Sequence, residues 1–319
     1  MGSFTIEKIS VVVSTYSKNQ LGQVLGCIES LRKQSLPPYE ILVVLDPVPE
    51  LLEYFEEKVD SDVRIVESDG FGLSRARNAG IRNSGSEIVA FIDDDAFADR
   101  DWLKNMVQNY SDSSVVGVGG FIQPVWSNIE PEWFPEELNW VLGCTYKGFP
   151  NSKGIVRNPI GCNMSFRKSA LEKVGCFRSA LGRFGEFLLS GEEPDVSLRI
   201  KKIMPDSKII NEPSAIVFHR IKQTRVNLKY VIKRSFFEGL SKSLISGSIF
   251  DKSKTLTAER DYLKYLVGFS FCSRLKKIYK INTLFQLTTL LISCFSVFVG
   301  YLVGKTSIHS KRFYRWRAK

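Results

Sequence analysis

Short runs of β-branched and other apolar residues alternate with helix-like segments through the first two hundred positions. Ile9–Ser14 reads I-S-V-V-V-S, which suits a strand buried on both faces of a sheet. A polar-capped helix is expected over Leu21–Gln34, stopped by Pro37 and Pro38. Ile41–Leu45 is a second buried strand leading into Asp46-Pro47, followed by a helix over Leu51–Lys58 and a short strand at Val63–Val66. Ser74 can cap a helix over Arg75–Asn83 that ends at Ser84-Gly85, and Ile88–Ile92 is the next buried strand. This order predicts an α/β fold with a mostly parallel sheet and helices on both faces. Ligands bind such sheets at the carboxyl ends of the strands, so the residues just after Ser14, Leu45 and Ile92 are the first candidates for chemistry.

Past Pro213 the pattern changes. Val226–Ser246 is amphipathic: Leu228, Val231, Ile232, Phe236, Leu240 and Leu244 follow helical spacing, interleaved with Lys229, Lys233, Arg234 and Lys242. Ile281–Gly304 then runs 24 residues without a charge, 15 of them apolar. As a helix it reaches about 36 Å, enough for a hydrocarbon core of roughly 30 Å. Its polar residues (Asn282, Thr283, Gln286, Thr288, Thr289, Ser293, Ser296) would also suit a buried helix of a soluble domain. Basic clusters on both sides favour a membrane: Arg274, Lys276, Lys277 and Lys280 before it, and Lys305, Lys311, Arg312, Arg315, Arg317 and Lys319 after it. A single span with a cytoplasmic catalytic part would put the second cluster outside, against the positive-inside rule. A re-entrant or in-plane helix removes that conflict, and the sequence leaves both arrangements open.

The charge follows the same division. Residues 1–212 hold 23 basic and 30 acidic side chains, whereas residues 213–319 hold 21 basic and 4 acidic ones. The cationic part suits anionic lipids. A nucleic-acid partner is not expected, because the basic residues flank an apolar helix rather than line a groove with aromatic residues. Six scattered cysteines with no C-x-x-C pair read as reduced thiols, and two histidines exclude zinc-finger spacing. Strand-like sequence begins by Ile9, so no signal peptide is expected and the catalytic part should be cytoplasmic.

Asp93-Asp94-Asp95 directly follows a buried strand. Adjacent carboxylates repel unless a cation joins them, and hard oxygen donors suit Mg²⁺ or Mn²⁺. Side chains alternate along an extended segment, so Asp93 and Asp95 are expected to point the same way. His219 ends the short apolar strand Ala215–Phe218 and is a further metal candidate. Upstream, G-L-S-R-A-R-N-A-G (residues 72–80) offers a helix amino end with Arg75 and Arg77 beside it for an anion, although an ordinary capped helix gives the same pattern. In G-E-E-P-D (residues 191–195) a carboxylate can serve as general base, although acids and proline at a helix start are stabilising in themselves. Trp126, Trp133 and Trp140 recur through a proline-rich stretch, where exposed rings would stack on a sugar or sit at a membrane interface.

Together, Ser14-Thr15-Tyr16, Asp46, G-L-S-R-A-R-N-A-G, F-I-D-D-D and G-E-E-P-D resemble family 2 glycosyltransferases of the GT-A fold in order and spacing, over about residues 9–220. The resemblance implies inverting transfer from a nucleotide-activated sugar. It places Thr15 and Asp46 at the nucleobase, Arg77 at the pyrophosphate, and Asp93 and Asp95 as the D-x-D pair, with Asp95 the favoured metal contact. Tyr16, Ser74 and Asp94 join the donor-site candidates. Glu193 stands where the family usually has the Asp that acts as base, which leaves Glu192 as a possible substitute.

A narrower likeness rests on P-E-W-F-P-E-E (131–137), W-V-L-G-C-T-Y (140–146), R-N-P-I-G-C-N-M-S-F-R (157–167) and R-S-F-F-E-G-L-S-K (234–242). These resemble the glucosyl-dolichyl phosphate glucuronosyltransferase type. That likeness implies a UDP-sugar donor, UDP-glucuronate among the candidates, and a polyprenyl- or dolichyl-phosphate-linked sugar as acceptor. It implies work at the cytoplasmic face of the cell membrane in lipid-linked glycan assembly for protein glycosylation. Acceptor or phosphate candidates are Trp126, Trp133, Asn163, Arg225, Arg234 and Lys242. The Q-x-x-R-W motif of processive relatives is missing, since Gln223 leads into Thr224-Arg225-Val226-Asn227, so single-residue addition is favoured. The alternative acceptor is a cell-surface polysaccharide. The expected organisation is a catalytic domain at 1–220, a basic amphipathic region at 221–280, a membrane helix at 281–304 and a basic tail at 305–319.

Overall fold

The computed structural model describes residues 7–183, 185, 187–248 and 256–309. The tail cations Lys311, Arg312, Arg315, Arg317 and Lys319 lie outside the described residues. The chain forms two compact units. The first comprises Met1–Gln123, Pro150–Ser179 and Glu192–Arg220, and the second Pro124–Phe149, Ala180–Gly191 and Ile221–Lys319.

In the first unit the elements run β1 (Ile9–Thr15), α1 (Leu21–Arg32), β2 (Glu40–Leu45), α2 (Pro49–Lys58), β3 (Val63–Glu67), α3 (Leu73–Asn83), β4 (Ile88–Asp93), β5 (Ala96–Ala98), α4 (Trp102–Val107), β6 (Val115–Trp126), β7 (Gly154–Ile155), β8 (Asn163–Arg167), α5 (Lys168–Lys173), α6 (Glu192–Ile203) and β9 (Lys208–Ile221). The sheet order is β3-β2-β1-β4-β8-β6-β9-β5, with β7 on β9. Strands β3, β2, β1 and β4 are parallel, as the alternation of strand and helix requires. Beyond β4 the sheet turns antiparallel through β8, β6 and β9. Val11, Val13, Leu42, Val44, Val89 and Phe91 are buried because both faces of the parallel half are covered.

Register sets the site. Thr15 pairs with Leu45 and Ser14 with Asp93, so the ends of β1, β2 and β4 meet at one edge. Asn163 lies opposite Ile92, which brings the start of β8 to the end of β4. Ala96 pairs with His219, which brings β9 there as well. Three expectations need correcting. The cap of α3 is Gly72, at φ 106°, and Ser74 is a buried residue inside the first turn. The strand holding His219 continues to Ile221 rather than ending at Phe218. β4 ends at Asp93, and Asp94-Asp95 form a turn, so strand alternation does not govern Asp95.

The second unit contains a 3₁₀ helix (Glu136–Leu142), α7 (Leu228–Ser248), α8 (Thr257–Tyr265), a π-helical turn (Leu266–Phe271), α9 (Cys272–Leu275) and α10 (Ile281–His309). Glu137 is 1% exposed and receives both Arg274 Nη1 and Nη2, each at 2.7 Å, together with the Ser270 hydroxyl at 2.8 Å. Helix α7 is not a surface helix with one apolar face. Arg234, Ser235, Ser241 and Ser243 are buried while Leu228 and Ile232 are exposed, because α7 packs closely on α10. The apolar helix runs past Gly304 to His309. All six cysteines are free, with Cys272 exposed rather than buried.

Candidate active site

Strand ends, one loop and one helix start build the site within the first unit. Thr15, 3% exposed, ends β1, and exposed Tyr16 follows it. Asp46 follows β2 and accepts a hydrogen bond from the Gly72 backbone N–H at 3.2 Å. Burial pushes the Asp46 carboxyl above its ordinary value, partly offset by that N–H. The φ of 106° at Gly72 favours glycine there, and this turn links the Asp46 edge to the start of α3.

Arg77 projects from α3 and is 3% exposed. Its Nη1 lies 3.3 Å from Glu192 Oε1 and 3.2 Å from Glu193 Oε1, and its Nη2 donates to the Gly161 carbonyl at 3.2 Å. Asp93 Oδ1 stands 3.9 Å from the same Nη2. Burial opposes this charge, but Glu193, Glu192 and Asp93 outweigh it and hold the guanidinium protonated. The guanidinium that the motifs assign to a pyrophosphate is held here by carboxylates. Its physical job is to hold like charges together at the start of α6.

Between the two acids, Glu193 is the more accessible, with its side chain 14% exposed against 5% for Glu192. Asp195, the last acid of the motif, is fully buried between Arg178 at 3.1 Å and Arg199 at 2.8 Å, so it is neutralised. Gly161 makes the arrangement possible. A Cβ there would stand 1.9 Å from Glu193 Oε1 and 2.7 Å from Arg77 Nη2.

On the other side of Asp93 is a donor cluster. Asp93, Cys162 and His219 each offer one ligand atom, and these atoms lie within 4.8 Å of one another. Donors bound to one ion at about 2.0–2.3 Å stand no more than roughly 4.5 Å apart, so small side-chain shifts would let the three close on a cation. Carboxylate and imidazole suit Mn²⁺, and the thiol adds a softer donor. Asp95, 4% exposed, is hydrogen-bonded through Oδ1 to His219 Nε2 at 2.9 Å, and is therefore a partner of one donor rather than part of the trio. Asp94 is buried beside them. The thiol of Cys27 is pushed up by burial and then by the negative field of Asp94, Asp93 and Asp95.

Cys162 is the site residue the sequence reading passed over. No spacing marks it, and only the antiparallel placement of β8 beside β4 brings it to Asp93. Its neighbour Asn163, expected at the acceptor, is engaged within the sheet. It is fully buried, accepts from Trp102 Nε1 at 2.8 Å, and donates to the carbonyls of Phe121 and Ala215 at 2.9 and 2.8 Å. It joins β8 to its neighbours.

The other acceptor candidates fall in the second unit. Trp126 and Trp133 are half-buried, each edge-on to Phe134, rather than presented as open rings. Arg225 lies in a single 3₁₀ turn. Arg234 pairs with Glu238 at 2.8 Å and stands over the Trp140 ring, and Lys242 pairs with Glu238 at 3.0 Å and Glu259 at 2.7 Å. Burial would raise the Glu238 carboxyl, but Lys242 and Arg234 hold it well below the usual range. Arg234 and Lys242, expected at a phosphate, are thus each paired with a carboxylate.

Residues 10–175 match the family described as glycosyl transferase family 2. The chain is 31% identical over 299 residues to the glucosyl-dolichyl phosphate glucuronosyltransferase of Haloferax volcanii, covering 92% of this chain and 94% of the relative. The chain belongs to glycosyl transferase family 2. It is also 26% identical to the succinoglycan biosynthesis protein ExoM of Rhizobium meliloti, over 72% of each chain. A mannosyltransferase from Pyrobaculum calidifontis, solved in complex with GDP-Man and Mn²⁺, shares the fold with a TM-score of 0.59 at 16% identity, covering 94% of this chain and 88% of the other. This glycosyltransferase therefore has the GT-A fold anticipated from its motifs.

Proposed function

We propose that this glycosyltransferase moves one sugar from a UDP-sugar, with UDP-glucuronate the leading candidate, to a polyprenyl- or dolichyl-phosphate-linked sugar at the cytoplasmic face of the cell membrane, with inversion. The place of this step is lipid-linked glycan assembly for protein glycosylation. Similarity to the Haloferax volcanii enzyme along nearly the whole chain supports the donor and acceptor classes. The observation that carries the reaction type is the position of Arg77, with Glu192 and Glu193 on one side and Asp93 on the other. One buried cation thus ties a candidate base to the donor cluster.

In this reading Thr15, Tyr16, Asp46, Ser74 and Asp94 border the nucleotide. Asp93, His219 and Cys162, with Asp95 bonded to His219, would hold Mg²⁺ or Mn²⁺. Such an ion, when bound, supplies positive charge that stabilises a departing diphosphate. Arg77 positions Glu193, whose Oε atom takes the proton of the attacking hydroxyl as the new bond forms opposite the leaving nucleotide. A single displacement with one base and no covalent intermediate inverts the anomeric centre.

The test is to incubate the full chain with a panel of UDP-sugars, glucosyl-phospho-dolichol and Mn²⁺, then extract the lipids for mass spectrometry. Addition of one hexuronic acid to the lipid-linked glucose is expected. Transfer to a water-soluble polysaccharide fragment, with the lipid acceptor untouched, would replace this reading by the polysaccharide one that the ExoM similarity supports.

A further inference from the structure

Helix α10 is built inside out. Its buried side carries Thr289, Ser293, Ser296, Gly300 and Gly304, with Leu287 and Leu290 also buried nearer its start, while its exposed face carries Leu284, Leu291, Phe295, Phe298 and Leu302. The small and hydroxyl residues lie on one side by helical spacing and the exposed apolar residues on the other. A helix on a water-facing bundle shows the reverse, with its apolar stripe inward. Small and hydroxyl residues inward with bulky apolar residues outward is the arrangement of helices packed in lipid.

The inward face is shaped by α7. A Cβ on Gly239 would stand 1.9 Å from the Val297 carbonyl oxygen, and one on Gly300 would stand 2.0 Å from that of Phe236. Ser235 and Ser293 share a hydrogen bond of 2.8 Å. The pairs Ser235–Ser293, Gly239–Val297 and Ser243–Gly304 rise together in both helices, so they run parallel with backbones nearly touching. At its start α10 is fixed by Gln286 Nε2, which donates to the Glu132 carbonyl at 2.7 Å, and by a contact from Asn282 to the Glu132 side chain.

That pairing separates a crossing from a half-immersed helix. Helix α7 carries exposed Lys229 and Lys233 and the part-buried Arg234–Glu238–Lys242 ion ladder. Because the helices run side by side, setting the middle of α10 at the bilayer centre would take Arg234 and Glu238 there too. Charges at that depth are strongly disfavoured. An in-plane position leaves them on the water side. Lys276, Lys277 and Lys280, all exposed beside exposed Tyr279, stand at the entry to α10, where cations and aromatic residues meet anionic headgroups.

We propose that Ile281–His309 lies in the membrane plane, its Leu284–Phe295–Leu302 face immersed in one leaflet of an anionic bilayer, and does not cross it. This deepens the membrane location in the proposed function and rests on it only for the presence of a bilayer.

The test uses the full chain with a tag at each end, in sealed vesicles of phosphatidylcholine and phosphatidylglycerol exposing the amino-terminal tag. Added protease should remove both tags, and a protected carboxyl-terminal tag would overturn the proposal. In parallel, Leu284→Trp, Phe295→Trp and Leu302→Trp are each compared with the parent chain for quenching by brominated lipids. Equal quenching by shallow bromines is expected. Deep quenching at position 295 with shallow quenching at the other two means a span and refutes the idea. Unquenched tryptophans in a chain that dimerises without lipid would give the face to a second copy, also refuting it. Phe295→Asp with Phe298→Asp should weaken vesicle binding about tenfold or more with unchanged circular dichroism. Unchanged binding would refute the lipid contact. Vesicle binding is read without substrate, so failed sugar transfer with intact binding overturns only the acceptor reading.

Discussion

Gly161→Ala presses on the base and on the guanidinium that holds it, since its Cβ would also stand 2.7 Å from Arg77 Nη2. The new Cβ would stand 1.9 Å from Glu193 Oε1, and carbon–oxygen contacts of that length do not occur, so one of the two must move. Reaching an ordinary van der Waals separation takes about 1.5 Å. The far end of Glu193 is the softer partner, because Gly161 sits on the backbone just ahead of β8. A displacement of about 1 Å at a catalytic group can cost roughly a hundredfold in rate, or about 2.7 kcal/mol of barrier. The expected outcome is therefore kcat down by about a hundredfold with UDP affinity within a few-fold of the parent. Single-turnover transfer and UDP titration calorimetry provide the two readouts. Gly154→Ala is the control, since nothing lies within 4 Å of its added Cβ, and it should be silent in both. Wild-type turnover in Gly161→Ala would refute Glu193 as the base. An equal loss of UDP affinity would show that the substitution damages the sheet edge instead.

Further outcomes follow from the same contacts. Glu193→Gln should lower kcat by about 10²–10⁴ with UDP binding retained, and Glu192→Gln by less because it is the more enclosed acid; equal losses in transfer assays would reverse that ranking. Excess chelator should abolish transfer and Mn²⁺ restore it, and His219→Ala should raise the Mn²⁺ needed for half-maximal rate; activity in full chelator would remove the donor cluster from the reaction. Arg274→Ala leaves Glu137 buried and unpaired and should cost about 3–5 kcal/mol in denaturant unfolding. Burial alone would raise the Glu137 carboxyl, but Arg274 and Ser270 outweigh it and hold it below its ordinary value. A folded-state pKa below the unfolded one gives stability that is present above the ordinary carboxyl value of 4.5 and lost as pH falls through the depressed value. The parent should thus lose stability on acidification over that window, and Arg274→Ala should show a flatter profile.

Much of this architecture is legible in local pattern, and the exceptions share one cause. Thr15, Asp46 and Asp93 can be read from sequence because short buried runs imply parallel strands, and parallel strands bring their carboxyl ends to one edge. What the pattern misses comes from long-range antiparallel pairing. Cys162 reaches Asp93 only through β8 beside β4, and His219 reaches Asp95 only through β9 beside β5. The partners of Arg77 are equally hidden: an arginine behind a glycine turn suggests an anion site, and nothing local shows that Glu192 and Glu193, more than a hundred positions away, stand beside it. Gly161 carries no local signal at all, since its requirement comes from a side chain that approaches from α6.

The basic surplus of the last hundred residues is also redistributed by the fold. Counted as sequence, Arg234, Lys242 and Arg274 belong to one cationic pool able to meet a phosphate or a headgroup. In the structure each is spent on a carboxylate: Arg234 and Lys242 on Glu238, and Arg274 on Glu137. Breaking such part-buried pairs to bind an acceptor phosphate would leave a carboxylate stranded, at a cost that one new ion pair does not recover. The cations left exposed among the described residues include Lys229, Lys233, Lys276, Lys277 and Lys280, all close in sequence to the start of α7 or α10. Exposed lysines lose little hydration on meeting headgroups, and each contributes about 1 kcal/mol near an anionic surface. In the in-plane arrangement proposed above, this surplus charge meets the lipid surface at the ends of the same two helices whose packing turns an apolar face outward.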